Sequence, residues 1–567
     1  MMRKRWVIKR PDQALQQKLQ KELGVSSILA QLLINRDLTS LSEIERFLSC
    51  QKSLLYDPFT LQGMRKAVSR IRTAIAAREK ILIYGDYDAD GITAACVLIT
   101  FLKQEGADVS SYIPHRIDEG YGLNMEAVRF ARSQGTSLVI AVDCGTTDKE
   151  EVAYLNRYGI DTIIIDHHQV RGELFPDAYS LINPLQPGCG YPFKDLAAVG
   201  LAYKVVCALS GDAGNAGDEY LDLVAVGTVA DVVPLVGENR ILTRHGLARL
   251  RTTARVGLKA LMEAAGIYGR NIQTEHIGFI IGPRINVSGR IGSADLALRL
   301  LLTEDADEAR QISGILNQEN STRQRMQEEI FKEALSHIEG QVNFKDHQVI
   351  VVWGHGWHPG VVGIVASKIV DRFYRPAIVL GVKEKIAKGS GRSIDNFHLF
   401  EAVHRCRALV ENFGGHEAAC GLTILTDNLE RFRDSINTVA RQMLSADDLV
   451  PKVDVEMEMP LHLVKKEIIK DLERLSPYGM GNPQPLFLST GVRLKDAPTR
   501  FGKNGMRMWV TDKKMTCEAV CFNAYDLGAF PDAGALDLVY YPKIRKISGI
   551  DSVELEVEDL KPSMGGN

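Results

Sequence analysis

The sequence has few cysteines, and they show none of the spacings in which cysteines usually act together. Its 567 residues include nine cysteines, an odd number, and no CxxC pair. The odd count argues against a disulfide framework, and the missing CxxC pair argues against a zinc ribbon. We therefore do not expect disulfides or thiolate-bound zinc to hold this fold together.

Long apolar runs and a strong charge of one sign are also absent. No apolar stretch reaches the roughly 18 residues that span a bilayer. The basic residues 1–5 are not followed by the apolar core of a signal peptide, so we expect a cytoplasmic protein. The 68 basic and 71 acidic residues leave a formal charge of -3, which does not indicate a nucleic-acid-binding protein. It does not exclude one, because a local basic channel is sufficient.

The patterning divides the chain into five stretches. A length beyond that of one hydrophobic core predicts three or four domains, and 45% hydrophobic residues are ordinary for a globular protein. Alternating strand and helix signals predict two α/β lobes, the first with a mostly parallel sheet. A period-two alternation at 453–459 and five short strand-like runs between residues 491 and 557 predict a β-barrel of the oligonucleotide-binding (OB) type. The predicted stretches are 1–75 (helical lead-in), 76–305 (α/β), 306–344 (connecting helix), 345–450 (α/β) and 451–562 (β-barrel).

Three strongly apolar runs end in acidic or histidine residues. The runs at 80–84, 138–142 and 162–165 are β-branched and aliphatic, as expected of strands that are buried on both faces of a parallel sheet. In open α/β sheets the ligand crevice lies outside the carboxyl ends of the strands. We therefore expect the polar residues after the three runs to converge on one site.

Asp86, Asp88 and Asp90 follow the first run. Capping of the next helix needs only one carboxylate. Clustered carboxylates repel each other unless a cation neutralises them, so we interpret this cluster as metal-binding. Asp143, after the second run, is either a strand-end cap or, in this company, a ligand that bridges two ions.

Two histidines and one further aspartate complete the predicted centre. His167 and His168 are either ordinary core or surface histidines or, since they follow Asp166 at a strand end, one metal ligand and one donor that faces a phosphate. Asp231 lies in the apolar stretch 221–234, where an unpaired carboxylate would be costly, and a metal is the partner we expect. Such carboxylate and imidazole ligands suit two divalent ions.

Several loops carry residues suited to a nucleic-acid backbone. Glycine permits close approach to phosphates, arginine and histidine donate to phosphate oxygens, and tyrosine stacks on bases. Tight-turn chemistry and surface ion pairs are the alternative interpretations. The candidates are Arg116 and Tyr121 in loop 114–122; Arg284, Asn286, Ser288 and Arg290; and Ser390, Arg392, Gly415 and His416 in the glycine-rich turns 389–393 and 414–416.

The motifs, in their order, resemble those of a known superfamily. YGDYDADG (84–91), VDCG (142–145), DHH (166–168) and VADVVPL (229–235) resemble the motifs of the DHH phosphoesterases. Further motifs narrow the resemblance to the RecJ family of single-stranded-DNA exonucleases, from about residue 50 to about residue 560. They are PHRIDEGYG (114–122), GPRINVSGR (282–290), WHPGVVG (357–363), KGSGRS (388–393), FGGHEAACG (413–421) and SPYGMGNPQP (476–485).

The resemblance implies a role for each motif residue. It implies a DHH catalytic domain at 76–305, a DHH-associated domain at 345–450 and an OB-fold domain at 451–562. One manganese ion would be held by Asp90, Asp143, His167 and Asp231. A second, more labile ion would be held by Asp88 and Asp143 with a contribution from Asp86, and His168 would face the scissile phosphate.

The implied function is 5′-to-3′ digestion of single-stranded DNA to 5′-mononucleotides by two-metal hydrolysis with Mn²⁺ or Mg²⁺, in recombination and repair. The implied partners are single-stranded DNA, a single-stranded-DNA-binding protein and a RecQ-type helicase, and a monomer is favoured. Longer family members carry a further C-terminal domain that this sequence does not show, which weighs against helicase docking through such a domain.

Two alternative functions stay open at the level of the sequence. One is a phosphodiesterase of short oligonucleotides or cyclic dinucleotides, which would not need the C-terminal barrel. The other is a non-catalytic DNA-binding replication scaffold, which would be expected to have lost metal ligands. Every ligand position is filled in this chain.

Overall fold

The computed structural model describes residues 4–116, 119–169, 175–211, 217–292, 294–502, 504–522, 534–547 and 550–563. The chain forms two compact units. Unit 1 comprises Met1–Ile44, Gln324–Leu475 and Gln484–Asn567, and unit 2 comprises Glu45–Arg323 and Ser476–Pro483.

The strands, in chain order, are β1 (Arg5–Ile8), β2 (Lys80–Gly85), β3 (Asp108–Tyr112), β4 (Leu138–Val142), β5 (Asp161–Ile165), β6 (Ser180–Ile182), β7 (Ile350–His355), β8 (Ala377–Lys383), β9 (Ile386–Arg392), β10 (Asn412–His416), β11 (Ala419–Leu425), β12 (Lys452–Val455), β13 (Met457–Glu458), β14 (Phe487–Leu494), β15 (Thr499–Phe501), β16 (Gly505–Thr511), β17 (Thr516–Cys521), β18 (Ala535–Ile547) and β19 (Ile550–Pro562).

The α-helices are α1 (Gln13–Leu23), α2 (Ser27–Ile34), α3 (Leu41–Ser49), α4 (Met64–Ala76), α5 (Ala89–Gln104), α6 (Met125–Gln134), α7 (Lys149–Arg157), α8 (Ala198–Ser210), α9 (Leu221–Ala230), α10 (Gly237–Leu250), α11 (Val256–Ala264), α12 (Thr274–His276), α13 (Gly282–Asn286), α14 (Ser288–Ile291), α15 (Ala294–Leu302), α16 (Ala306–Gln341), α17 (Pro359–Phe373), α18 (Leu399–Arg405), α19 (Leu429–Met443) and α20 (Lys466–Leu475).

Unit 2 is built on the predicted parallel sheet. Its strand order is β3-β2-β4-β5-β6, and every neighbouring pair is parallel. The three apolar runs of the sequence are β2, β4 and β5, and β4 is buried along its whole length. Helices α5, α8 and α9 are apolar on most sides and nearly wholly buried, as expected of helices inside a core. This core fixes the carboxyl ends of the strands in space.

Unit 1 contains a mixed sheet of order β10-β11-β9-β8-β7, in which only β7 and β8 are parallel among the described pairs. The prediction of turns at 389–393 and 414–416 is wrong, because most of these residues lie in β9 and β10. The glycines instead permit close strand approach: a Cβ on Gly389 would lie 2.1 Å from the carbonyl oxygen of Val379.

The predicted C-terminal barrel is present in unit 1. Its strands follow the order β14-β18-β19-β17-β16, and an additional pairing of β14 with β16 closes the ring. The five strand-like runs of the sequence correspond to these five strands. A closed ring leaves its member strands without free edges.

One strand departs from the helical lead-in that the sequence predicts. β1 pairs in parallel with β12, so the start of the chain belongs to unit 1. Its four residues are mostly exposed and lack apolar alternation, so they give no strand signal.

The predicted connecting helix is α16, which carries the chain from unit 2 into unit 1. All nine cysteines lie in the described ranges, and none forms a disulfide. Across those same ranges, no helix combines the length and the apolar character that crossing a bilayer requires.

Candidate metal centre

The three acidic motifs of unit 2 are brought together by the register of the parallel sheet. The backbone N–H of Asp86 donates to Val142 O (3.3 Å), and that of Asp143 donates to Ile165 O (2.9 Å). The N–H of Asp166 donates to the last residue of β6 at 3.0 Å. Each ladder thus continues one residue past its strand, and the three aspartates emerge at one edge of the sheet.

The tight turn from β2 into α5 carries the other two aspartates of the first motif. Asp88 caps α5, since its Oδ1 accepts from the N–H groups of Asp90 (2.9 Å) and Gly91 (3.2 Å). The cap uses only one carboxylate oxygen. A side chain at Gly91 is excluded, because its Cβ would lie 2.6 Å from Asp86 O. Asp86, Asp88 and Asp90 are therefore held close together.

Asp90 is fully buried and points at the start of α8. Its carboxylate accepts from the backbone N–H groups of Ala198 (2.7 Å) and Val199 (2.9 Å). Burial and then the charge of Asp88 nevertheless raise the pKa of Asp90 to about 7. The helix N-terminus alone does not offset the cost of this carboxylate.

Asp143 combines a buried carboxylate with an unusual backbone. Its φ of 63° lies in the left-handed region, which non-glycine residues rarely adopt. The Tyr121 hydroxyl donates to its carbonyl oxygen at 3.2 Å. Burial, followed by the charges of Asp90 and Asp88, raises the pKa of Asp143 well above its usual value.

His167 faces three carboxylates. Its Nε2 lies 3.2 Å from Asp143 Oδ1, 3.6 Å from Asp231 Oδ2 and 3.9 Å from Asp90 Oδ2. Burial and then the charge of His168 lower the pKa of His167 to about 4, so the ring is neutral at physiological pH. A neutral imidazole nitrogen that faces carboxylate oxygens is the arrangement of a metal ligand.

His168 has the opposite protonation state because it is paired with Asp166. Its Nδ1 lies 2.8 Å from Asp166 Oδ1. Burial disfavours the charged ring, but this hydrogen bond and the charge of Asp166 raise the pKa of His168 to about 9. The Tyr121 hydroxyl also lies 3.0 Å from Nδ1. The pairing with Asp166 therefore favours the charged form of His168, which lies at the edge of the centre.

Asp231 completes the set from the end of α9. Burial and then the charges of Asp90 and Asp88 raise its pKa to about 9. A carboxylate at the C-terminus of a helix is also disfavoured by the helix dipole. Asp231 thus needs a cation more than most carboxylates do.

The predicted ligands and His168 form three groups. Within each group, the potential donor atoms lie within 4.8 Å of one another. Asp143 and His167 each belong to two groups, and of the two Asp143 offers the carboxylate that can bridge two ions. The groups are Asp90, His167 and Asp231; Asp86, Asp88 and Asp143; and Asp143, His167 and His168.

Three atoms test the fit to a cation. The buried Oδ1 atoms of Asp86 and Asp143 and the Nε2 atom of His167 have no hydrogen-bond partner among the described residues. Unpartnered buried carboxylates are costly, and divalent cations with oxygen and imidazole ligands relieve that cost. Cys144 belongs to none of the three groups, and its buried Sγ lies 3.6 Å from Val142 O. The donor set fits Mn²⁺ or Mg²⁺.

The structure places two candidate DNA-binding residues beside the centre. Tyr121 contacts Asp143 and His168 through its hydroxyl, while the residue is 50% exposed. The guanidinium of Arg116 lies 5.0 Å from the ring centroid of Tyr87, between Asp86 and Asp88 in the chain. Both therefore lie near the first metal-binding motif.

The candidates of helices α13 and α14 make internal contacts. Asn286 Oδ1 accepts from the N–H of Ala89 at 2.7 Å, so it fixes the first turn of α5. Arg284 donates to Asn317 Oδ1 and to Ile280 O, and it forms no surface ion pair among the described residues. Ser288 is buried and donates to Ile285 O, and Arg290 is half-buried in α14. Lining of a channel stays a prediction for this set.

Three of the remaining candidates, Ser390, Arg392 and His416, share one face of the mixed sheet in unit 1. Arg392 and His416 both lie opposite Ala419, one on β9 and one on β10. Arg392 donates to Ser390 Oγ at 2.7 Å. Gly415 has a φ of 146°, and a Cβ there would lie 2.2 Å from Ala419 O. Arginine, serine and histidine donors are thus gathered on a surface with small neighbours.

The sequence analysis does not assign the roles that two site residues have in the structure. Asp166 appears there only as part of a motif, yet it accepts from the N–H groups of His167 (2.8 Å) and Thr146 (3.1 Å) as well as from His168. Asn183 donates to His168 O at 2.9 Å. Asn183 directly follows β6, so the strand-end rule would have found it had that three-residue strand been recognised.

Comparison with known proteins agrees with this geometry. The model of the DHH family N-terminal domain matches residues 80–228, that of the DHHA1 domain matches 346–442, and that of the RecJ OB domain matches 455–559. The single-stranded-DNA-specific exonuclease RecJ of Bacillus subtilis is 42% identical over 92% of this chain, which spans only 66% of that relative.

Two further comparisons extend over greater lengths. The single-stranded-DNA-specific exonuclease RecJ of Dickeya dadantii is 34% identical over 95% of this chain and 96% of the relative. The crystal structure of RecJ in complex with Mn²⁺ from Thermus thermophilus has a TM-score of 0.85 and 29% identity, and it covers 99% of this chain and 80% of that chain. With both the fold and the motif order shared, the chain belongs to the RecJ family.

Proposed function

We propose that this protein is a single-stranded-DNA-specific exonuclease that hydrolyses phosphodiester bonds with two divalent cations, Mn²⁺ or Mg²⁺. The observation that carries the proposal is the buried cluster in which His167 Nε2 and the Oδ1 atoms of Asp86 and Asp143 have no hydrogen-bond partner among the described residues. When bound, two cations activate water and stabilise the attacking and leaving oxygens of an in-line displacement.

The residues of the chain supply orientation and charge. Asp90, Asp143, His167 and Asp231 would hold one ion, and Asp86, Asp88 and Asp143 the other. Asp166 keeps His168 cationic, and the imidazolium binds a non-bridging oxygen of the scissile phosphate. The exposed ring of Tyr121 is placed to stack on the terminal base.

The names of the relatives support the substrate class, since both curated relatives are called single-stranded-DNA-specific exonucleases. The finer features are also proposals: 5′-to-3′ polarity, release of 5′-mononucleotides, and action in recombination and repair. So are a cytoplasmic location, the domain limits given above, and work beside a single-stranded-DNA-binding protein and a RecQ-type helicase.

Neither alternative function gains support. A replication scaffold would not need a complete ligand set, and each predicted ligand here belongs to a group of potential donors. A phosphodiesterase of dinucleotides would not need the closed five-stranded ring in unit 1.

A cleavage assay tests the proposal. Single strands labelled at the 5′ or the 3′ end, a blunt duplex and a dinucleotide are incubated with Mn²⁺, Mg²⁺ or chelator. We expect metal-dependent release of labelled mononucleotide from the 5′-labelled strand at the earliest times, and no digestion of the duplex. Equal rates on the dinucleotide and the long strand, or digestion in chelator, would contradict the proposal.

A further inference from the structure

The turn that presents Asp231 has an unfavourable backbone. Val232, the next residue, has a φ of 62° and is 66% exposed. A β-branched residue in the left-handed region is a genuine outlier, and glycine is the usual residue at this position after a helix. Val232 therefore gains little from burial that would offset its strained conformation. Contacts elsewhere have to hold the turn.

Those contacts come from a remote part of the chain, residues 476–483. The N–H of Leu235 donates to Met480 O at 2.7 Å. Gly479 packs on the buried Leu235 side chain, where a Cβ would lie 2.7 Å from Cδ1. Gly481 lies against Pro234, with a virtual Cβ to Cβ distance of 3.2 Å. Pro234 and Leu235, two and three residues after Val232, are thus covered by this segment.

The segment is itself anchored within unit 2. Arg240 donates to Pro477 O at 3.4 Å, and Thr274 Oγ1 donates to Tyr478 O at 2.8 Å. Asn482 closes the segment on itself, since its Nδ2 donates to Pro477 O at 2.8 Å. The chain on both sides of residues 476–483 belongs to unit 1. Residues 476–483 themselves belong to unit 2, which carries the metal centre.

We propose that residues 476–483 form a clip that positions Asp231. By holding Pro234 and Leu235, the clip keeps the left-handed turn at Val232, and so keeps the Asp231 carboxylate 3.6 Å from His167 Nε2. The clip residues are positioning residues, because the contacts described above join them to the turn and its supports rather than to the ligand atoms. The inference rests on the proposed binding of a cation by Asp90, His167 and Asp231.

Binding of Mn²⁺ by the purified full chain, followed by titration calorimetry and by electron paramagnetic resonance, tests the clip without an activity readout. Gly479→Val wedges the segment away from Leu235, and Thr274→Val removes one anchor with little change of shape. Gly190→Ala is the matched control, since a Cβ there meets nothing within 4 Å. Thermal unfolding in chelator checks that each variant is folded.

We expect Gly479→Val to lower the affinity for one of the two Mn²⁺ ions by about tenfold or more, as loss of an outer-shell support does. Thr274→Val should lower the same affinity. The control should bind like the wild type. In a Val232→Gly background the left-handed turn is no longer strained and needs less support. The loss of Mn²⁺ affinity caused by Gly479→Val should then be about a third or less of the loss in the wild-type background.

Wild-type affinity for both equivalents in the folded Gly479→Val and Thr274→Val variants would overturn the clip. An equal loss with and without Val232→Gly would overturn it as well. A different result would contradict the proposed function. If the wild type binds no Mn²⁺, or if Asp231→Asn leaves the affinities for both ions unchanged, the assignment of the metal ligands is wrong, and the role proposed for the clip is wrong as well.

Discussion

At the scale of single residues, Asp143 combines two features that lower the stability of the fold. Its backbone is in the left-handed region, which costs of order 1–3 kcal/mol, and its carboxylate is buried beside other carboxylates. Neither cost is offset by a hydrogen bond to Oδ1 within the described residues. We expect a cation bound between Asp143 and its neighbours to offset the electrostatic part, so the fold should be less stable without metal than with it.

Asp143→Asn tests this balance. Asparagine tolerates a left-handed backbone but carries no charge. We expect cleavage to fall by about a hundredfold or more, beyond the usual effect of an outer-shell change. We expect the metal-free variant to melt higher than the wild type, because a repelling buried charge is gone. Cleavage within tenfold of wild type, or a lower melting temperature in chelator, would contradict the bridging role.

Asp166→Asn tests the pairing that keeps His168 cationic. The variant loses the charge and the hydrogen bond that hold the pKa of His168 at about 9, while burial still lowers it. The pKa should therefore fall below 9, and the cationic fraction at pH 8 should decrease. Side-chain NMR titration of the protein in chelator measures it. An unchanged pKa would show that Asp166 does not set the charge of His168.

At the scale of helices and strands, the residues of the proposed metal centre lie at the ends of elements. Asp86, Asp143 and Asp166 follow three neighbouring parallel strands, Asp88 caps α5, and Asp231 ends α9. In unit 1, the register of β9, β11 and β10 places Arg392 and His416 on either side of Ala419. Regular hydrogen bonding thus fixes side chains that lie far apart in sequence.

Arg392→Ala tests the proposed phosphate contact of this sheet face. We expect weaker binding to single strands of every sequence alike, and a salt dependence of binding reduced by about one phosphate contact. Arg405→Ala is the control, because it removes the same charge from the same unit at an exposed ion pair with Glu401. Equal effects of the two substitutions would point to general electrostatics rather than to a contact at Arg392.

At the scale of the whole molecule, sequence neighbours and spatial neighbours differ. Deletion of the predicted barrel from about residue 451 would also remove residues 476–483 from unit 2 and the partner strand of β1. Such a deletion cannot separate DNA binding by the barrel from support of the metal centre. A point substitution on the barrel surface is the sharper experiment.

Trp509→Ala provides that substitution. Trp509 lies on β16 and is 42% exposed, so its ring can stack on a base, which is worth about 1–3 kcal/mol. We expect a higher KM on long strands and no change on oligomers of a few nucleotides. Leu41→Ala, at a residue that is 39% exposed in α3, serves as the control. Equal losses on both substrate lengths would argue against DNA contact by this face.

The sequence by itself determines the three buried strands β2, β4 and β5, the long connecting helix, the barrel and the convergence of the acidic motifs. These follow from local periodicity and from the rule that parallel strands end at one edge. It does not reveal the pairing of β1 with β12, the inward bonds of Arg284 and Asn286, or the packing of residues 476–483 against Leu235. Only the tertiary structure decides these, because each joins remote groups whose contact leaves no periodic pattern in the chain.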